Sequence, residues 1–103
     1  MKRTTITLAA VAGAALTLAT GAGAATLPGA ALFAKSGCAA CHTLKAAKAK
    51  GQVGPNLDKL KPSVAQVVKQ VTNGGGGMPP YKTSLKPAQI RQIAAYVASV
   101  AGK

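Results

Sequence analysis

The chain has 103 residues, with 13 Lys plus Arg set against a single acid, a formal net charge of +12, two cysteines and one histidine. That length bounds it to one small domain. One acid and one histidine leave little for an acid–base enzyme, which needs several positioned titratable groups.

Met1-Lys2-Arg3 is basic, Ile6 through about Leu18 is an apolar run rich in alanine, and Ala22-Gly23-Ala24 puts small residues where a signal peptidase inspects. The expectation is a secretory signal peptide over residues 1–24, removed in the mature protein. An uncleaved anchor is the weaker reading, because the run falls short of the ~20 apolar residues that a spanning helix needs. The domain is then residues 25–103. With Lys2 and Arg3 gone, its formal charge falls by two, to +10.

In that domain, Leu27-Pro28-Gly29 predicts a short helix from about Pro28, since proline suits a first helical turn. Gly29 and Phe33 lie four apart and share a face, which reads as ordinary packing. Gly37 ends this helix and opens the next turn.

Cys38-Ala39-Ala40-Cys41-His42 follows. Two thiols separated by two small residues, with an imidazole directly after, form the attachment signature of a c-type haem. Each thiol can add to one haem vinyl group, and the histidine can then reach the iron. A structural zinc site needs four ligands; Cys38, Cys41 and His42 make three, and Asp58 is the only acid left. A thioredoxin-like dithiol wants a βαβ setting, and no strand pattern is present. One covalently attached haem c per chain is therefore the expected cofactor. Composition points the same way. A small exported domain needs a staple, this one has three aromatics and no Trp, and a Cys38–Cys41 disulfide would close too short a loop to restrain it.

Residues 43–52 are polar and small. Lys45, Lys48 and Lys50 read equally well as a solvated loop, a frayed helix or a docking patch. Val53 through Leu57 form a turn. Ser63 and Gln66 have the spacing of a capping box, and Val64, Val67, Val68 and Val71 predict a helix with a buried valine face, ended by Asn73-Gly74. Gly74–Gly77 lead into Met78-Pro79-Pro80-Tyr81. They are no phosphate cradle, because no Gly-Lys-Ser/Thr follows. A last helix spans about Pro87 to Ala101, with Ile90, Ile93, Val97 and Val100 marking its apolar face and Lys86 a poor cap. The predicted fold is all-α: three short helices and loops wrapped around one haem.

An electron-transferring haem iron wants two strong axial ligands. His42 is the only histidine, and Met1 leaves with the leader, so Met78 is the second candidate. From Gly29 to the C-terminus the chain resembles a small bacterial class I c-type cytochrome, monohaem and His/Met ligated. The resemblance assigns Cys38 and Cys41 to the thioethers, His42 and Met78 to the iron, and the Pro55 carbonyl, in Gly54-Pro55-Asn56-Leu57, to the imidazole N–H. It sets Gly29, Phe33, Ile93 and Tyr96 where the terminal helices cross. It departs from mitochondrial relatives in lacking the Trp that bonds a haem propionate, so the sequence names no propionate partner. It also brings Lys82 and Lys86 near the distal loop, as candidates to replace Met78 at high pH.

The expected function is an exported, periplasmic or extracytoplasmic, soluble monohaem electron carrier, monomeric and not an enzyme. Expected partners are acidic-faced redox proteins (an oxidase, reductase, dehydrogenase or photosynthetic complex), with weak contact to anionic membrane surface. Export and the absence of stacking aromatics exclude nucleic acid. The alternatives are a haem-based small-ligand sensor with an open sixth position, and a haem subunit of a larger respiratory complex. The electron-passing haem edge is expected near Cys38 and Tyr81.

Overall fold

The computed structural model describes residues 28–103; the leader expected over residues 1–24 lies outside them. Four α-helices are found among the described residues: α1 (Gly29–Lys35), α2 (Leu57–Leu60), α3 (Val64–Asn73) and α4 (Pro87–Val100). The three predicted helices are α1, α3 and α4. The single turn α2 is additional, started by Asn56, whose side chain accepts the Lys59 N–H at 3.3 Å.

Each boundary has a local cause. Helix α1 stops before Gly37, which adopts φ +79°, a left-handed conformation that glycine tolerates. Ser63 and Gln66 form the capping box at α3, with the Gln66 N–H donating to Ser63 Oγ at 3.1 Å and the Ser63 N–H donating to Gln66 Oε1 at 2.8 Å. The poor cap at Lys86 is compensated from inside α4: Gln89 Oε1 accepts the Lys86 N–H at 2.8 Å.

Helix α4 is the spine. It packs against both α1 and α3, burying Ile90, Ile93, Ala94 and Val97. At the α1–α4 crossing Phe33 meets Tyr96 edge to face, 5.9 Å between ring centroids. Gly29 permits this approach, since a Cβ there would strike the Gln92 carbonyl and lie 2.6 Å from Tyr96 Cβ.

Two expectations need correction. The valine face of α3 is narrower than the spacing suggested: Val67 and Val71 are buried, but Val64 is 44 % exposed. It is the first residue of α3. Residues 43–52 are not merely a solvated loop. They form a two-residue antiparallel pair, β1 (Thr43–Leu44) with β2 (Ala49–Lys50), in the register Thr43 to Lys50 and Leu44 to Ala49. Leu44 and Ala49 point inward and are buried, while Lys45, Lys48 and Lys50 stay exposed. Two-residue strands are too short to leave an alternating pattern in a sequence.

Candidate functional site

The Cys38–His42 segment is wound into a single 3₁₀ turn over Cys38–Ala40, with the Cys41 and His42 N–H groups both donating to the Cys38 carbonyl at 3.2 and 3.0 Å. Cys38 is buried and Cys41 is exposed. Burial pushes the Cys38 thiol above its ordinary pKa; a backbone hydrogen bond opposes this and the neighbouring Cys41 adds to it.

His42 is oriented by the turn that follows. Its Nδ1 lies 2.8 Å from the Pro55 carbonyl oxygen. A carbonyl only accepts, so Nδ1 donates this bond, and the tautomer it selects leaves the neutral ring's lone pair on Nε2. The Gly54 N–H donates to the Cys41 carbonyl at 2.7 Å, drawing the two loops together. A Cβ on Gly54 would sit 2.8 Å from His42 Cε1, so only glycine leaves the ring this position.

Met78 is carried on a tight hairpin. Gly75 and Met78 exchange backbone hydrogen bonds at 2.9 and 3.1 Å across Gly76 and Gly77. Both central residues have positive φ, 61° and 93°, the sign pattern of a type I′ turn. The Gln70 side chain donates to the Gly75 carbonyl at 3.1 Å, and the Tyr81 N–H donates to the Val71 carbonyl at 2.8 Å. Both ends of the loop are therefore fastened to α3.

Between these segments lies one cavity of about 780 Å³, lined by Cys38, Cys41, His42, Pro55 and Met78 together. Its apolar walls come from Phe33, Leu57, Val67, Val71, Ile93 and Val97. Thus all five sequence-assigned site residues face one space.

The chain is similar to known proteins over most of the described residues. The family model described as cytochrome c oxidase, cbb3-type, subunit III matches residues 24–97. Cytochrome c6 of Leptolyngbya boryana is 39 % identical over 70 residues, covering 64 % of this chain and 82 % of its own. Cytochrome c6 of Aphanizomenon flos-aquae is 41 % identical over 76 residues, covering 70 % and 86 %. The c-type cytochrome SorU from Sinorhizobium meliloti shares 47 % identity at a TM-score of 0.69, covering 73 % of this chain and 88 % of that one. The chain belongs to the c-type cytochromes.

Its cofactor is covalent haem c, and it is a haem-c electron carrier. The cavity fits that group. Its volume falls in the upper part of the ~300–1,000 Å³ range of ligand pockets, much of its wall is apolar, and an imidazole and a thioether, both groups that ligate haem iron, line it. A c-type cytochrome of this size uses the haem as core, and here three of the five largest fully buried side chains, Phe33, Ile93 and Val97, line the space it would fill.

The cytochrome also shows what sequence reasoning misplaced or missed. Of the two thiol residues, Cys38 is 8 % exposed, covered where its turn packs against α1, while Cys41 is exposed. Tyr81 is half-buried and its hydroxyl donates to the Ser36 carbonyl at 3.1 Å, tying the distal loop to the end of α1. Desolvation raises the Tyr81 pKa, and the two cysteines add to the rise. Lys82 and Lys86 are exposed and do not line the cavity; Lys69 does.

Proposed function

We propose that this cytochrome is an exported carrier that passes single electrons between redox proteins, with both axial positions of its haem filled. Cys38 and Cys41 would hold the group through two thioethers. His42 Nε2 and the Met78 thioether would be the axial donors. The haem, when bound, supplies an iron that cycles between ferrous and ferric.

The chain's own residues do the rest. Pro55 accepts the Nδ1 proton of His42 and so fixes the ring and raises the basicity of Nε2. The glycine hairpin presents Met78 to the same cavity. A neutral nitrogen paired with a soft thioether favours the reduced state and raises the potential. Filled axial sites leave no open position for catalysis, and no second histidine exists to supply acid–base chemistry.

The observation that carries this reading is that His42 and Met78 line one cavity together with both thiols. The decisive experiment is absorption spectroscopy of the purified protein, oxidised and reduced, before and after Met78→Ala. The unaltered protein should show a six-coordinate haem c spectrum in both states, and the variant should lose the ferric methionine–iron charge-transfer band. A variant with that band intact would remove Met78 from the iron.

The name of the matching family model raises the subunit reading, since it is that of an oxidase subunit. Sedimentation of the haem protein from a gentle extract separates the two: a carrier runs as a free small protein, a subunit with its complex. No helix among the described residues is long and apolar enough to cross a membrane.

A further inference from the structure

We propose that Lys69 is the counter-cation for the haem propionates, holding a carboxylate of the bound group at the solvent edge of the cavity. The proposal deepens the carrier reading above and rests on it.

Helix α3 presents two adjoining stripes to the cavity. Val67 and Val71, four apart, form a buried apolar stripe suited to the flat face of a macrocycle. Gln66, Lys69, Gln70 and Asn73 form a polar stripe beside it, which lines the same cavity and is exposed. The boundary between the stripes is where the cavity meets water. A haem is itself amphipathic, with two carboxylates on one edge, and that edge belongs at such a boundary.

Elimination then selects one side chain. Gln66 is committed to the capping box with Ser63. Gln70 donates to the Gly75 carbonyl at 3.1 Å and Asn73 to the Lys69 carbonyl at 3.1 Å. His42 Nδ1 is committed to Pro55, and the Tyr81 hydroxyl to Ser36. Lys69 is the one cationic side chain lining the cavity among the described residues. A carboxylate there has a strong reason to find it, because the chain has one acid to compete, and Asp58 is occupied elsewhere by the Lys45 and Gly102 N–H groups at 2.8 Å each.

A lysine in this role changes the carrier's potential. Propionate charge stabilises ferric iron, and a paired ammonium offsets that charge. Removing the ammonium should therefore favour the ferric state. Lys69 acts on the iron only through the propionate, so it is a positioning residue and not a ligand.

The test uses the haem-loaded protein in four forms: unaltered, Lys69→Gln, Lys69→Arg and Lys82→Gln. Lys82 serves as an exposed lysine that does not line the cavity. Each is titrated spectroelectrochemically, and redox-difference infrared spectra are recorded over the carboxylate stretch. That region is unusually clean in this protein, since only Asp58 and the C-terminus share it with the propionates. Lys69→Gln should lower the ferrous-to-ferric ratio several-fold at a fixed applied potential and shift a carboxylate band. Lys69→Arg should restore both, and Lys82→Gln should leave the band in place. A Lys69→Gln protein indistinguishable from Lys82→Gln overturns the assignment, as does a lowered potential with an unmoved band. In either case a normal reversible couple would leave the carrier reading standing. Absence of a reversible couple in the unaltered protein would overturn that reading, and this proposal with it.

Discussion

Asp58, the only acid in the chain, joins three segments that are remote in sequence. It lies in the first turn of α2, accepts the Lys45 N–H at the end of β1 through Oδ2, and accepts the Gly102 N–H beyond α4 through Oδ1. Both bonds favour the charged carboxylate, so its pKa is held below the ordinary carboxylate value, with Gly102 contributing most. An unfolded aspartate titrates near ~3.9. Because the folded value is lower, the clasp stabilises fully above ~3.9 and is lost as pH falls through the folded value. Asp58→Asn replaces one acceptor with an NH₂ that faces an N–H, so its melting temperature should be lower than that of the unaltered protein at pH 7. The difference should close on descending from pH 5 to pH 2. A gap of constant size across that range would mean that ionisation of Asp58 contributes nothing.

At the scale of an element, the Gly74–Gly77 hairpin makes the sharpest demand on sequence. All four glycines have positive φ, and at Gly76 and Gly77 a Cβ would meet nothing within 4 Å, so substitution there is a purely backbone matter. Gly76, at φ 61°, occupies the left-handed helical region, whose cost for an L-residue is about 1–2 kcal/mol. Narrowing of the unfolded ensemble returns roughly 0.4–1 kcal/mol. Gly76→Ala should therefore lower stability by about 0–1.6 kcal/mol. Gly76→Asn should be close to neutral, since Asn-Gly is the preferred pair for this turn. Gly75, at φ 120°, lies outside that region, so Asn should give no relief there. Urea midpoints for Gly76→Ala, Gly76→Asn and Gly75→Asn check the order, and a Gly76→Asn midpoint below that of Gly76→Ala would contradict the turn assignment. The hairpin also marks the limit of what the sequence revealed. Four glycines before a methionine look like slack chain, yet each is at a conformation that only the folded turn explains. The capping box at Ser63, the valines at 67 and 71, and the apolar face of α4 were legible because local periodicity and local hydrogen bonds create them. The cysteines, His42 and Met78 were legible because their chemistry is rare in this chain. The Asp58 clasp to Gly102 spans 44 residues and the Tyr81 to Ser36 bond 45, and these, like the cavity position of Lys69, depend on tertiary approach that no local pattern encodes.

Over the whole molecule, positive charge is nearly unopposed. The sequence carries 13 Lys and Arg, and its single carboxylate side chain has both oxygens engaged by backbone N–H groups. The cations of the β1–β2 hairpin, Lys45, Lys48 and Lys50, are exposed. Such a surface repels its own kind, which keeps a small carrier dispersed, and it attracts any acidic face that approaches. The attraction acts over a Debye length of ~10 Å at 0.1 M salt and ~3 Å at 1 M. Electron exchange with an acidic-faced redox protein should thus slow steeply as salt is raised, by about 10- to 1,000-fold for a fully steered encounter. Exchange with an uncharged small oxidant should hardly change, because there is no field on the oxidant to screen. Stopped-flow reduction and oxidation at a series of ionic strengths checks both. Changing Lys45, Lys48 and Lys50 to Gln together then asks whether the hairpin is the docking patch: it should flatten the salt dependence with the acidic partner and leave the small-oxidant rate alone. Salt-dependent rates that survive this change would move the docking surface elsewhere on the molecule, and rates indifferent to salt throughout would remove electrostatic docking from the account of this carrier.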